Sequence, residues 1–155
     1  MCHSEPGTFG NADERSWELL ENMGIHREEV IDIREPIQFK KVYIPEPGFE
    51  YEKYYHKEFI IPYKYIYDNV AANQKAKKIY LSRKKMGKEK EAGESIIEKF
   101  FSINGFEVIY PDELSIVEQV KWLKGAEEIA SVEGTISHNI LFCTPGTKQI
   151  VIQSR

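Results

Sequence analysis

The sequence has no run approaching the roughly 20 apolar residues that a bilayer-spanning helix needs. Its most extended charge-free stretch of note, residues 134–147, is broken by Ser, His, Asn and Pro. Residues 1–10 offer neither a basic start nor an apolar run, so a secretory leader is not expected. Cysteine is scarce. Cys2 and Cys143 lie near opposite ends in no CxxC or CxxH pairing, which excludes a disulfide framework and a zinc site and leaves two reduced thiols. The glycine fingerprints are missing too. Without GxGxxG there is no support for an NAD-type site, and without GxxxxGK[ST] the P-loop NTPases are removed. No Asp-x-Asp pair or His/Cys cluster offers ligands for a dedicated divalent metal, so neither metal nor cofactor is expected.

What is present describes one soluble α/β domain's worth of protein. The chain has 155 residues, 41% hydrophobic and 30% charged, enough to bury a single core and too few for two ordinary ones. A cytoplasmic location is expected. The net charge of −4 is unevenly spread. Residues 75–90 hold Lys75, Lys77, Lys78, Arg83, Lys84, Lys85, Lys88 and Lys90 against Glu89 alone. An acidic chain with one basic loop argues against nucleic acid as a partner and for one small anionic ligand.

The first 74 residues read as an irregular region. Asp13 is placed to cap a helix with Trp17, Leu20 and Met23 on its apolar face and Gly24 as its stop. Residues 30–33 and 39–44 are rich in β-branched and aromatic side chains and predict two short strands. An aromatic stretch follows from Tyr51 to Tyr67, with Pro62 placed to start a helix reaching Asn73. Helical spacing of those aromatics points to packing, with a stacking platform for bases or sugars as the alternative.

Residues 75–155 read as the regular domain, with residues 1–74 as a linker or partial N-terminal region before it. Strands are predicted at 78–82, 106–110, 128–132 and 149–152. Helices are predicted at 93–103, with Ile96, Ile97, Phe100 and Phe101 inward, after the Ser115 to Glu118 capping box, with Ile116, Val120 and Leu123 on one face, and at 135–142. Strictly alternating strand and helix implies a parallel sheet, Rossmann-like, covered on both faces by right-handed crossovers. The last strand would end the chain without its covering helix, which reads as truncation or a missing partner segment, and leaves an edge open to dimerisation.

In such sheets ligands settle at the carboxyl ends of the strands, where helix N-termini favour anions. Three loops qualify: Ser82 to Lys85, Pro111 to Glu113, and Glu133 to Asn139. Gly134 allows close backbone approach to a phosphate, Thr135 and Ser137 bring hydroxyls, and Arg83 is suited to a bidentate clamp. Taken singly, each also reads as a turn, a cap or a solvated charge. Of the histidines, His3, His26 and His56 have no partner pattern, while His138 lies beside the phosphate-type turn as a donor or base.

The run Lys78-Ile-Tyr-Leu-Ser-Arg83, followed by Glu94, Gly105-Phe-Glu-Val108, Leu114-Ser115, Glu118-Gln119-Val120, Ala126, Gly134-Thr135, Asn139 and Phe142, resembles glycosyltransferase family 61, including its bacterial capsular polysaccharide biosynthesis members. The likeness extends from about Trp17 onward. It departs at Gly93, where many members carry Asn, and at Ile136, where many carry Gly. The resemblance implies the C-terminal, donor-binding half of an inverting GT-B enzyme that moves a sugar from a nucleotide-sugar to a hydroxyl acceptor, commonly without metal. By position, Arg83, Gly134, Thr135, Ser137, Asn139, Glu118 and Gln119 carry over as donor-site residues. Inversion also needs a base for the acceptor's proton; His138 is the catalytic candidate with Glu133 as the other nearby group, while a residue of the missing half, and a merely capping role for His138, stand as the alternatives. A glycan or other hydroxyl acceptor, peripheral membrane association, and a homodimer or complementary half-domain are the partners this implies. A noncatalytic nucleotide-binding or assembly module, or an inactive fragment, stands as the alternative.

Overall fold

The computed structural model describes residues 13–31, 33, 35–50, 53–72, 76–85 and 93–153. The chain divides into two compact units, Met1–Pro62 and Tyr63–Arg155. In the first, α1 (Glu14–Asn22) starts where Asp13 accepts the Ser16 N–H, 2.8 Å away. It stops at Gly24, whose φ of 83° lets the Ile25 N–H turn back to the Leu20 carbonyl at 2.9 Å. Arg27 lies over the Trp17 ring and bonds Glu14 and Glu21.

The two strands expected at 30–33 and 39–44 do not form among the described residues. β-propensity yields a strand only when a second edge pairs with it, and Pro36, Pro45 and Pro47 supply no N–H donors around these stretches. Pairing occurs instead between β1 (Phe49–Glu50) and β2 (Tyr54–Tyr55), antiparallel, with Phe49 opposite Tyr55. Phe49 stacks on Phe59, ring centroids 5.5 Å apart.

Pro62 is the second residue of α2 (Ile61–Asn69). That helix stops short of the expected Asn73, which lies outside the described residues. Its end is fixed by Lys124, whose Nζ donates to the carbonyls of Tyr67 and Val70 at 2.7 and 2.8 Å and sits 4.1 Å from the Tyr67 ring centre. The Tyr67 hydroxyl meets that of Thr144, and Tyr63 packs edge-on against Phe142, so both tyrosines serve packing.

The regular half of the sequence gives β3 (Lys78–Leu81), α3 (Glu94–Ile103), β4 (Glu107–Ile109), α4 (Ile116–Gly125), β5 (Glu128–Val132) and β6 (Lys148–Ile152). All four strands are parallel, in the order β4-β3-β5-β6. Successive side chains of β3 alternate between faces. Ile79 and Leu81 join Leu123, Ala126 and Ile129 under α4, while Tyr80 joins Phe101, Phe106 and Ala130 under α3. The two helices take opposite faces because the chain reverses direction across the sheet, and crossovers of one hand then fall on alternate sides. Burying Val120, Leu123 and Ile129 stabilises the fold by about 1.5 to 3 kcal/mol each.

Two local readings need correction. On α3, Ile97 and Phe101 face the sheet, but Ile96 and Phe100 do not: they are 75% and 60% exposed. With Ile103 they form a stripe spaced i, i+4, i+7, rotated off the stripe that packs on the sheet. Residues Thr135–Phe142 form a helix as expected, but a 3-10 one; Ile136, Ile140 and Phe142 pack beside the core under α4. The Ser115 to Glu118 capping box is present in both directions, the Glu118 N–H to Ser115 Oγ at 3.2 Å and the Ser115 N–H to Glu118 Oε2 at 3.0 Å.

Candidate functional site

The strand order contains one reversal. From β3 the chain passes to β4 on one side, then returns past β3 to β5 on the other. At such a switch point the loops leaving the two central strands part, and open α/β sheets bind ligands there, outside the carboxyl ends of the strands. The loops in question begin at Ser82 and Glu133.

Arg83 and Gly134, 51 positions apart in the chain, meet at this rim. Arg83 Nη1 donates to the Glu133 carbonyl at 3.2 Å. A Cβ on Gly134 would stand 3.5 Å from the same nitrogen, so the guanidinium lies directly against the glycine. Gly134 has φ 126° and ψ −166°, a region that is essentially glycine-only. Its carbonyl is held by Ser137 through both the backbone N–H at 3.0 Å and Oγ at 2.7 Å. Ser137 is anchored in turn by Gln149, whose side-chain amide donates to its carbonyl at 2.7 Å. The 3-10 helix that follows begins at exposed Thr135, and its first N–H groups have no intrahelical acceptor.

The other sequence candidates are distributed as follows. Thr135 and His138 are exposed on the 3-10 helix, and Asn139 on the same helix is half-buried. Glu118 is engaged in its capping box, and the Ser115 backbone N–H holds its carboxyl below the usual range. Gln119 is buried and donates to the Leu114 carbonyl at 3.1 Å. The basic loop is less open than its composition suggests. Lys77 pairs with Glu127, Lys78 with Glu128, Lys84 with Glu98 and Lys85 with Glu113. Lys75, Lys88 and Lys90 lie outside the described residues. Lys85 also lies 4.3 Å from the Tyr110 ring centre, and its hydrogen bond to Glu113 raises its pKa.

Sequence reasoning did not assign a role to the carboxylates beneath Arg83. Glu94, first residue of α3 and 6% exposed, accepts from the Tyr80 hydroxyl at 2.7 Å and from the Arg83 backbone N–H at 3.2 Å. Glu98, one turn on, accepts from the buried Ser82 hydroxyl at 2.7 Å, and Ser82 Oγ accepts the Lys84 N–H at 3.1 Å. Burial, and then the Glu98 charge, push the Tyr110 hydroxyl up in pKa. A signal for these residues was available: Glu94, Ile97, Glu98 and Phe101 share one helical stripe, so two acids accompany the apolar face that meets the sheet. Among the described residues, no group of three or more His, Cys, Asp or Glu side chains is gathered as a metal site would require.

A four-stranded parallel sheet with a glycine turn, an arginine and a helix start converging at its switch point defines a Rossmann-like α/β protein. The family model for glycosyltransferase 61 matches residues 6–150, nearly the whole chain. The protein belongs to that family and is a glycosyltransferase, an enzyme that takes a sugar from a nucleotide-sugar donor to an acceptor. No curated protein and no solved structure gives a match.

Proposed function

We propose that this chain forms the donor-binding part of an inverting, GT-B type glycosyltransferase of polysaccharide biosynthesis, working in the cytoplasm on a nucleotide-sugar and a hydroxyl acceptor. The observation that carries this is the contact of Arg83 with Glu133 and Gly134 at the switch point of the sheet. The donor's diphosphate sits against the Arg83 guanidinium and the N–H groups at the start of the 3-10 helix. Thr135, Ser137 and Asn139 are the flanking polar contacts.

In the reaction, the acceptor oxygen bonds to the anomeric carbon as the bond from that carbon to the diphosphate oxygen breaks. The departing nucleoside diphosphate keeps the electron pair. Negative charge thus grows on the oxygen nearest Arg83, where a fixed guanidinium and preoriented N–H dipoles offset it without reorganisation. The acceptor proton passes to a base, a role we assign to His138 on the same 3-10 helix, with Glu133 as the neighbouring carboxylate. Glu118 and Gln119 support the fold of α4 in this scheme and do not touch the donor. The test is titration of the isotope-labelled protein with UDP. Amide shifts centred on Arg83 and residues 134–139 are expected; shifts confined to other segments refute the assignment.

A further inference from the structure

We propose that Glu94 is the positioning residue for Arg83, a role that rests on the donor site assigned above. The connection can be followed atom by atom. Tyr80 is fully buried and stacks on Phe101 with centroids 4.7 Å apart and planes 8° from parallel, so its hydroxyl is a fixed point. That hydroxyl holds Glu94 Oε1 at 2.7 Å, and the same oxygen holds the Arg83 backbone N–H at 3.2 Å. From this anchored backbone the Arg83 side chain reaches the Glu133 carbonyl beside Gly134. The carboxylate thus ties the loop leaving β3 to the core at Arg83, whose side chain crosses to the loop leaving β5.

Packing alone does not call for a carboxylate at this place. Glu94 Oε2 is buried with no hydrogen-bond partner among the described residues, and an unpaired buried carboxylate oxygen costs stability. An apolar side chain would avoid that cost. What only an oxygen acceptor supplies is the simultaneous hold on Tyr80 and Arg83, aided by the position of the negative charge on the first residue of a ten-residue helix. Glu98 performs a parallel task one turn on, holding Ser82 and through it the Lys84 N–H. Neither Glu98 nor Lys84 reaches Gly134 by any described contact, which singles out Glu94 as the group that acts on the rim.

The experiment compares the full chain with its Arg83→Ala, Glu94→Ala and Glu94→Gln variants and with the double alanine variant, using inorganic pyrophosphate and UDP as calorimetric probes. Glu94→Ala is expected to weaken binding about as much as Arg83→Ala does, by about tenfold or more. In the double variant the two losses do not add, because both remove one interaction. Glu94→Gln, which keeps a carbonyl oxygen, restores affinity to within about threefold of the parent. Additive losses, or a Glu94→Ala variant that binds like the parent while Arg83→Ala does not, overturn the proposal. If the parent ignores both probes, or Arg83→Ala binds like the parent, the donor-site assignment falls by itself. Positioning is then judged by hydrogen exchange of the Arg83 amide, expected to quicken about tenfold in Glu94→Ala and to stay slow in Glu94→Gln. Unchanged exchange in Glu94→Ala refutes it. Should Glu94→Ala not fold, Tyr80→Phe releases the other anchor of the carboxylate; faster Arg83 exchange supports the proposal and unaltered exchange refutes it.

Discussion

Replacing Gly134 by alanine separates backbone geometry from side-chain contact at the rim. The added Cβ would meet the Arg83 Nη1 at 3.5 Å, an ordinary van der Waals distance to the end of a flexible side chain, so steric overlap contributes little. The backbone is the obstacle. At φ 126° and ψ −166° an L residue is strained, and holding one there costs on the order of 1 to 3 kcal/mol. The chain has two ways to respond. It can retain the turn and lose that stability, or relax the turn and break the hydrogen bonds that converge on it, from Arg83 to the Glu133 carbonyl and from Ser137 to the Gly134 carbonyl. In either case urea unfolding shifts to a lower midpoint with unchanged slope, by an amount corresponding to about 1 to 3 kcal/mol. An alanine variant that unfolds at the parent's midpoint contradicts the glycine-only geometry, and with it the reason for glycine at this turn.

Three further outcomes follow from other parts of the fold. Lys124→Met removes both bonds to the end of α2 and is expected to cost about 2 kcal/mol, seen as a drop in Tm of roughly 4 to 8 °C; an unchanged Tm refutes the clamp. Ser115→Ala removes the cap of α4 and costs about 1 kcal/mol at neutral pH. Glu118 titrates below its unfolded value, chiefly through the Ser115 backbone N–H that alanine keeps and then through the Ser115 hydroxyl. The difference between the parent and Ser115→Ala should therefore narrow, as the pH falls through the folded pKa, by the share of the hydroxyl bond to Glu118, while the share from the Glu118 N–H on Ser115 Oγ persists in acid. A constant difference between them down to that range counts against the linkage. Burial pushes the Cys143 thiol up to about 12, so in a Cys2→Ser background the native protein should resist a thiol-disulfide reagent at pH 8 and react once unfolded. Rapid reaction of the native form would show that thiol to be accessible.

The elements most legible in the sequence were those whose signal is local. The runs through Ile79 and through Ile129 are buried on both faces and therefore read as nearly continuous apolar strands. The caps at Asp13 and Ser115 are likewise spelled out by residues three apart. What the sequence obscured depends on partners distant in the chain. Residues 39–44 have the composition of a strand but no neighbour with which to pair among the described residues. Of the lysines that looked like an open basic patch, the described Lys77, Lys78, Lys84 and Lys85 are paired with acids 14 to 50 positions away. Ile96 and Phe100 carry the right residue types on the wrong stripe of α3. At the rim, Arg83 and Gly134 were readable because the carboxyl edge of a parallel sheet gathers its loops wherever they lie in sequence. For Glu94 the helical stripe it shares with Ile97 and Phe101 signals an inward-facing acid, but the buried tyrosine hydroxyl it reaches, 14 positions away, is not spelled out locally.

The central claim is that Arg83 and the Gly134 turn together receive a pyrophosphate, and calorimetric titration of UDP into the parent and Arg83→Ala proteins tests it most directly. A charge-assisted bond of this kind contributes roughly 1.5 to 3 kcal/mol, so the substitution should weaken binding by about ten- to a hundredfold. Equal affinities for the two proteins would contradict it.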